Sequence, residues 1–200
     1  MSESPAVTIL PVQFKGARQY VHGTDLINSL TALIGDTNGV VSEIVFRSPL
    51  RSLPIVSERI GPQHTEDAQC SMTWRTDDGL TRFFDVHESG SPIVGRYPYD
   101  EDSILAEFQY DGAGGRGAGF HDLSFIENAV AMTKAVNLAR YQPVEGQWIF
   151  SRGRFKVPLP TSWSGIAISS RPVSSPNVSA NVVSVDGQEI GSLMFMVGNL

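Results

Sequence analysis

Cysteine is nearly absent from this chain of 200 residues, with Cys70 the only one. A disulfide framework and a thiolate-rich zinc site are therefore excluded within one chain. Positive charge is also sparse: 15 Lys and Arg stand against 21 Asp and Glu, for a formal net charge of −6. The basic residues are scattered, and Arg47, Arg51, Arg154 and Lys156 are the nearest approach to basic spots. Phosphate recognition needs such residues clustered, so nucleic acid is excluded as the main partner. No apolar run reaches the length of a bilayer span, and Met1-Ser-Glu-Ser-Pro5 lacks the basic start and apolar core of a secretory signal. The expectation is a soluble cytoplasmic protein with no membrane partner. Low-complexity tracts and long linkers are missing as well. What remains, 41% hydrophobic and 18% charged residues, is the composition of an ordinary globular protein.

The positive content of the sequence is a pattern stated twice. Tyr20-Val-His22-Gly23-Thr24-Asp25-Leu26-Ile27-Asn28 is answered by Gly119-Phe120-His121-Asp122-Leu123-Ser124-Phe125-Ile126-Glu127. In both, a histidine precedes apolar residues at helical spacing. Phe46-Arg47-Ser48-Pro49-Leu50 is answered by Phe155-Lys156-Val157-Pro158-Leu159, and the turn Asp78-Gly79 by Asp186-Gly187. Corresponding features lie roughly 100 to 110 residues apart, a period that must be settled before any fold is assigned. An insertion of about ten residues, in or after the second helix, accounts for the drift in spacing. Units this small sit near the lower limit for an independent core, so two half-units sharing an interface are expected.

Residues 1–5 read as a frayed tail and 7–14 as a strand. Leu26, Ile27, Leu30, Leu33 and Ile34 form one helical face, stopped by Gly35-Asp36-Thr37-Asn38-Gly39. Strands are expected at 40–47, 55–60, 68–76 and 80–87. The segment 88–92 is the expected seam, dividing the chain into repeats 1–90 and 91–200. In the second repeat a strand is expected at 104–110, and a glycine-dense loop at 111–119 with a minority role as a lid. A longer helix follows, marked by Phe125, Ile126, Ala129, Val130, Thr133 and Val136. Strands at 147–157, 165–170, 178–185 and 189–197 close it. The class is α+β.

A strand, a segment ending in histidine, a central helix and a curling antiparallel sheet, all duplicated, resemble the hotdog superfamily in its double-hotdog form. The resemblance covers almost the whole chain. It implies two tandem hotdog repeats paired as a pseudo-dimer, with acyl-thioester sites where the paired units meet. His22-Gly23-Thr24 resembles the His-Gly-Gly segment of hotdog acyl thioesterases, with Thr24 in place of the second Gly. Those enzymes carry an acid about nine positions after the histidine, where this chain has Thr31 and Val130. Asp122-Leu123-Ser124-Phe125-Ile126-Glu127 resembles the central-helix run of β-hydroxyacyl dehydratases, and it carries their catalytic acid onto Glu127. Asn28 holds that place in the first repeat.

The chemistry of the residues themselves is consistent with that resemblance. The first turn of a helix leaves backbone N–H groups unpaired, and the helix dipole is positive there. A carbonyl placed at that end would be polarised while an imidazole moves a proton. His22 and His121 are the candidate bases, and Glu127, Asp25 and Asp122 the candidate acids. Gly23, Thr24, Asn28 and Arg116 are candidates for contact with substrate. Dehydration and enolate-driven cyclisation of an acyl or polyketide-like thioester begin with the same proton removal and stay equivalent at this stage. Thioester hydrolysis and non-catalytic binding of an acyl chain or partner are the alternatives. Ser124-x-x-Glu127 also reads as a capping box, the structural alternative to catalysis. His64 and His87 lack regular spacing to acids, and no metal or cofactor is required. CoA or an acyl carrier protein would present the substrate, and edge strands leave a homodimer open.

Overall fold

The computed structural model describes residues 7–35 and 38–199. The expected tail at 1–5, and Asp36 and Thr37 of the expected helix stop, lie outside the described residues. The chain divides into two compact units after Tyr99. The seam expected at residue 90 falls instead inside a strand, β6.

In the first unit the elements run β1 (Val7–Ile9), β2 (Phe14–Lys15), α1 (Gly23–Ile34), β3 (Val40–Phe46), β4 (Ser52–Arg59), β5 (Cys70–Arg75), β6 (Thr81–Pro92) and β7 (Arg96–Tyr97). Helix α1 forms where the apolar spacing places it, and it buries Leu26, Ile27 and Leu30 almost completely. Each such burial contributes about 1.5–3 kcal/mol. The far end of the expected face is looser, as Leu33 is 42% exposed. Gly35 ends the helix at φ 72°, a left-handed conformation natural to glycine, and donates its N–H to Thr31 O. The strand expected at 7–14 is two pieces. β1 pairs with β4, and β2 pairs in parallel with β7, setting Lys15 opposite Tyr97. The strand order is β1-β4-β6-β5-β3, with antiparallel neighbours. Ile44, Val56, Met72, Phe84 and Val86 form its buried side. Leu33 and Ile34 line a cavity with Val56 and Phe84, which places the end of α1 over that side.

The second unit runs α2 (Glu101–Leu105), β8 (Gln109–Tyr110), β9 (Gly114–Gly117), α3 (Phe125–Arg140), β10 (Gln147–Phe155), β11 (Ile166–Arg171), β12 (Val178–Val185) and β13 (Gln188–Gly198). Two expectations fail here. The strand expected at 104–110 is present only at its end, as β8; its first two residues close helix α2, because Asp100 caps α2 by accepting from Ser103 N at 3.1 Å and acids follow in the first turn. The glycine-dense loop is in part a strand: β9 pairs with both β11 and β8. A side chain on Gly114 would stand 2.0 Å from Ile168 O, and one on Gly115 would stand 2.2 Å from the Phe108 ring. Close packing, not mobility, requires those glycines. Helix α3 packs against β9 to β13 and buries Phe125, Ile126, Ala129, Met132 and Val136. The Asp186-Gly187 turn has φ of 49° and 85°, the pattern of a tight hairpin between β12 and β13.

The two units share the order helix then four strands, but they are not copies. In the second the order is β10-β13-β12-β11-β9-β8. The third strand after the helix lies between its fourth and its first in the first unit. In the second unit it lies between the fourth and the second. Connection geometry accounts for the difference. β4 and β5 both run antiparallel to β6, so the chain over 60–69 must cross to a parallel neighbour. The segment 172–177 closes a direct antiparallel hairpin between β11 and β12.

Candidate functional site

His22 is the N-cap of α1, with extended backbone angles of φ −69° and ψ 136° and no capping bond from its side chain. The segment before it is fixed by Val21 N donating to Leu50 O at 2.8 Å, so the Pro49-Leu50 signature of the sequence holds the histidine in place. Asp25 N and Leu26 N both donate to the His22 carbonyl. The amides of Gly23 and Thr24 are then the first-turn donors without a helical acceptor.

The imidazole side of this element was only partly foreseen. His22 Nδ1 lies 2.7 Å from Thr24 Oγ1, and its ring faces Tyr99 with centroids 6.1 Å apart. Thr24 is fully buried, and so is Lys15, whose Nζ donates to Thr24 Oγ1 at 3.2 Å and to Asp25 Oδ1 at 3.0 Å. The Lys15 ammonium sits 4.4 Å from the centre of the Tyr99 ring, a cation–π contact. Lys15 and Tyr99 are the residues that sequence reasoning missed. A lone lysine ten positions before Asp25 leaves no periodic trace. Its lack of any exposed surface follows from β2 pairing with β7, elements remote in sequence.

The Thr24 hydroxyl sets the two tautomers open to the His22 imidazole. A threonine hydroxyl has one hydrogen to donate and two positions to accept. With Thr24 donating to Asp25 Oδ1 at 3.4 Å and accepting from Lys15, its remaining position accepts from His22 Nδ1–H; with its hydrogen turned to His22 Nδ1 at 2.7 Å, the imidazole carries its proton on Nε2 instead. In the first of these tautomers the neutral ring takes up a proton at Nε2. Asp25 Oδ2 is buried and has no hydrogen-bond partner. It is an acceptor awaiting a donor.

The second unit arranges its candidates differently. His121 is exposed, stands three positions before the Ser124 N-cap of α3, and stacks on Trp163 with centroids 5.1 Å apart. Asp122 beside it is exposed. Glu127 is in the capping box: Ser124 N and Ser124 Oγ donate to its Oε2 at 2.9 and 2.7 Å, and Glu127 N donates back to Ser124 Oγ. Asn128, fully buried, accepts from Phe120 N and donates to the carbonyls of Phe120, Leu123 and Ser124, so it fixes the turn that carries His121. Arg116 is exposed on β9, at a cavity of about 340 Å³ shared with Glu107 and Asp186. Asn28 is half-buried on α1, and its carbonyl accepts from the Thr31 hydroxyl. Among the described residues, no group of three His, Cys, Asp or Glu side chains is placed to hold a metal ion. No helix among them is long and apolar enough to cross a membrane.

No family model matches the chain, and neither does any curated protein. Solved structures do. The dehydratase domain of PpsC from Mycobacterium tuberculosis, in complex with C12:1-CoA, is similar at 12% identity and a TM-score of 0.50, over 96% of this chain and 92% of that one. The bifunctional dehydratase-cyclase domain of ambruticin biosynthesis is similar at 11% identity and a TM-score of 0.47, over 90% and 83%. The tesB protein of Mycobacterium avium subspecies paratuberculosis follows at 13% identity and a TM-score of 0.47, over 93% and 91%. The first reaches 0.50, and at 12% identity the likeness is one of fold. The chain is a hotdog-fold protein resembling dehydratase domains.

Proposed function

We propose that the first unit carries an enzyme site that moves a proton at the carbon next to a thioester carbonyl, the opening step of dehydration and of enolate-driven cyclisation. The two units are read as tandem hotdog-type repeats, the second with a changed strand order. The observation that carries the functional reading is the chain Lys15–Asp25–Thr24–His22 at the mouth of α1, in which His22 is read as the base, protonated on Nδ1 toward Thr24. An acyl thioester of CoA or a carrier protein is the substrate class; a CoA thioester is what the similar mycobacterial dehydratase domain is complexed with.

In this scheme His22 Nε2 takes the α-proton, and the carbonyl oxygen becomes an enolate beside the Gly23 and Thr24 amides. The ion pair with Lys15 makes Asp25 an acceptor, which changes its expected role from acid to orienting group. Its unpartnered Oδ2 is the acceptor offered to a substrate hydroxyl that reaches it. In dehydration the β-carbon–oxygen bond then breaks, and the imidazolium returns its proton to the departing hydroxyl, releasing water. In cyclisation the enolate carbon instead attacks a second carbonyl, and the imidazolium protonates the new alkoxide. Atoms and charge balance in both.

The test is exchange of the α-hydrogen in heavy water, using pantetheine thioesters of β-hydroxy and β-keto acids and following the product by mass spectrometry. The intact protein is expected to exchange it, and His22→Ala to lose about 10²- to 10⁴-fold in rate. Equal exchange in His22→Ala, or thiol release without exchange, would sink the proposal in favour of binding or of hydrolysis.

A further inference from the structure

The second unit holds a built pocket at the other end of α3 from His121. Asn137, one turn before the helix end, is 2% exposed. Its Oδ1 accepts from Asn181 Nδ2 at 3.3 Å, and Asn181 in turn accepts from Ser170 Oγ and donates to Ser179 Oγ. In this arrangement Asn137 turns its oxygen to Asn181 and its nitrogen away. Asn137 Nδ2 is left with no acceptor, although it is buried. An unpaired buried donor is costly, so its position calls for an oxygen atom that the chain does not supply.

Asn137 lines a cavity of about 470 Å³ together with Arg140, Trp148, Arg171, Val173 and Val178. That volume is in the range of small-molecule sites. Trp148, 6% exposed, gives an apolar wall and spends its indole N–H on Tyr141 O at 3.0 Å. Arg140 and Arg171 bring two cations to the same cavity, and both are exposed. Arg140 also answers the negative end of the α3 dipole. Glu189 lies 3.7 Å from Arg171 and is held more closely by Lys156 at 2.6 Å. Positive charge therefore exceeds negative at this edge.

We propose that this cavity binds an amphipathic organic anion. Its carboxylate pairs with Arg140 and Arg171, its apolar body lies on Trp148, Val173 and Val178, and a carbonyl oxygen accepts from Asn137 Nδ2. The assignment is independent of the His22 site.

Three matched probes separate the contacts: 6-oxoheptanoate, heptanoate without the carbonyl, and methyl 6-oxoheptanoate without the charge. Each is titrated by calorimetry and by the Trp148 indole resonance in ¹⁵N-labelled full-length protein. The keto acid is expected to bind saturably and shift that resonance, with heptanoate and the ester each weaker by about tenfold. Arg140→Gln with Arg171→Gln should erase the preference for acid over ester, and His22→Ala should change nothing. The wild-type ratio of keto acid to heptanoate reads the Asn137 contact without a core substitution. Equal binding of all three probes, no movement of the Trp148 signal, or displacement of the keto acid by equimolar inorganic phosphate would each overturn the proposal.

Discussion

Lys15 illustrates how one side chain ties fold to site. Its ammonium is wholly buried and is held by Asp25, Thr24 and the Tyr99 ring. Removing one member of such a buried pair leaves the other charge uncompensated, at a cost of about 3–5 kcal/mol. Lys15→Met is expected to lose that much in urea denaturation, while Lys15→Met with Asp25→Leu should lose clearly less. Equal losses would show that packing, not charge, is what Lys15 provides. Cys70 makes a pH-dependent prediction. Its thiol is fully buried, and burial pushes its ionisation well above the ordinary range, with Arg47 opposing only in part. The unfolded thiol loses its proton near pH 8.5 while the folded one keeps it. Above that pH the folded state binds more protons, so stability falls as pH rises, by up to about 1.4 kcal/mol per unit. Denaturation between pH 7 and 10 should show this added slope in the intact chain and lose it in Cys70→Ala. Thiol reagents should label Cys70 only after unfolding.

At the scale of elements, legibility followed locality. The α1 face and most strands were readable because their periodicity is written in consecutive residues. The start of α3 was readable as well, since Ser124 and Glu127 form the capping box that their spacing implies. Ser124→Ala should therefore cost about 0.5–2 kcal/mol in thermal or urea unfolding. A cost near zero would mean that Glu127 alone holds the helix start. The short elements were not readable. α2 is a single turn and a half, too short for a hydrophobic period to declare itself. β9 looked like a loop because its glycines resemble turn residues, and their reason lies in Phe108 and Ile168 across the sheet. The candidate site divided in the same way. His22 and Asp25 were legible at the helix start, whereas Lys15 reached them through a parallel pairing with no local signal. His121 differs from His22 in its setting, because the helix after it begins later, at Phe125.

For the whole molecule, the two units share an order of elements, a helix and then four strands, and differ in the order of strands. The connection between the second and third strands after each helix decides which arrangement forms. In the first unit β4 ends with Arg59 opposite Phe83 of β6, and β5 begins with Cys70 opposite Val86 of the same strand. Residues 60–69 must cross β6 and also return along it. Asp85, only 1% exposed, pins that path by accepting from Thr65 N at 2.9 Å, from Thr65 Oγ1 at 3.1 Å and from Arg59 Nε at 3.0 Å. Deleting 63–66 removes the slack and strips Asp85 of two donors, so a loss of at least about 1–3 kcal/mol is expected. The hairpin at 172–177 has no crossing to make. Two glycines inserted after Val173 lengthen a closed loop only modestly, at less than about 0.6 kcal/mol. Urea midpoints of the two variants, measured beside the parent chain, compare these costs directly. If both changes cost the same, connection length is not what distinguishes the strand orders, and the difference must come from packing within each unit.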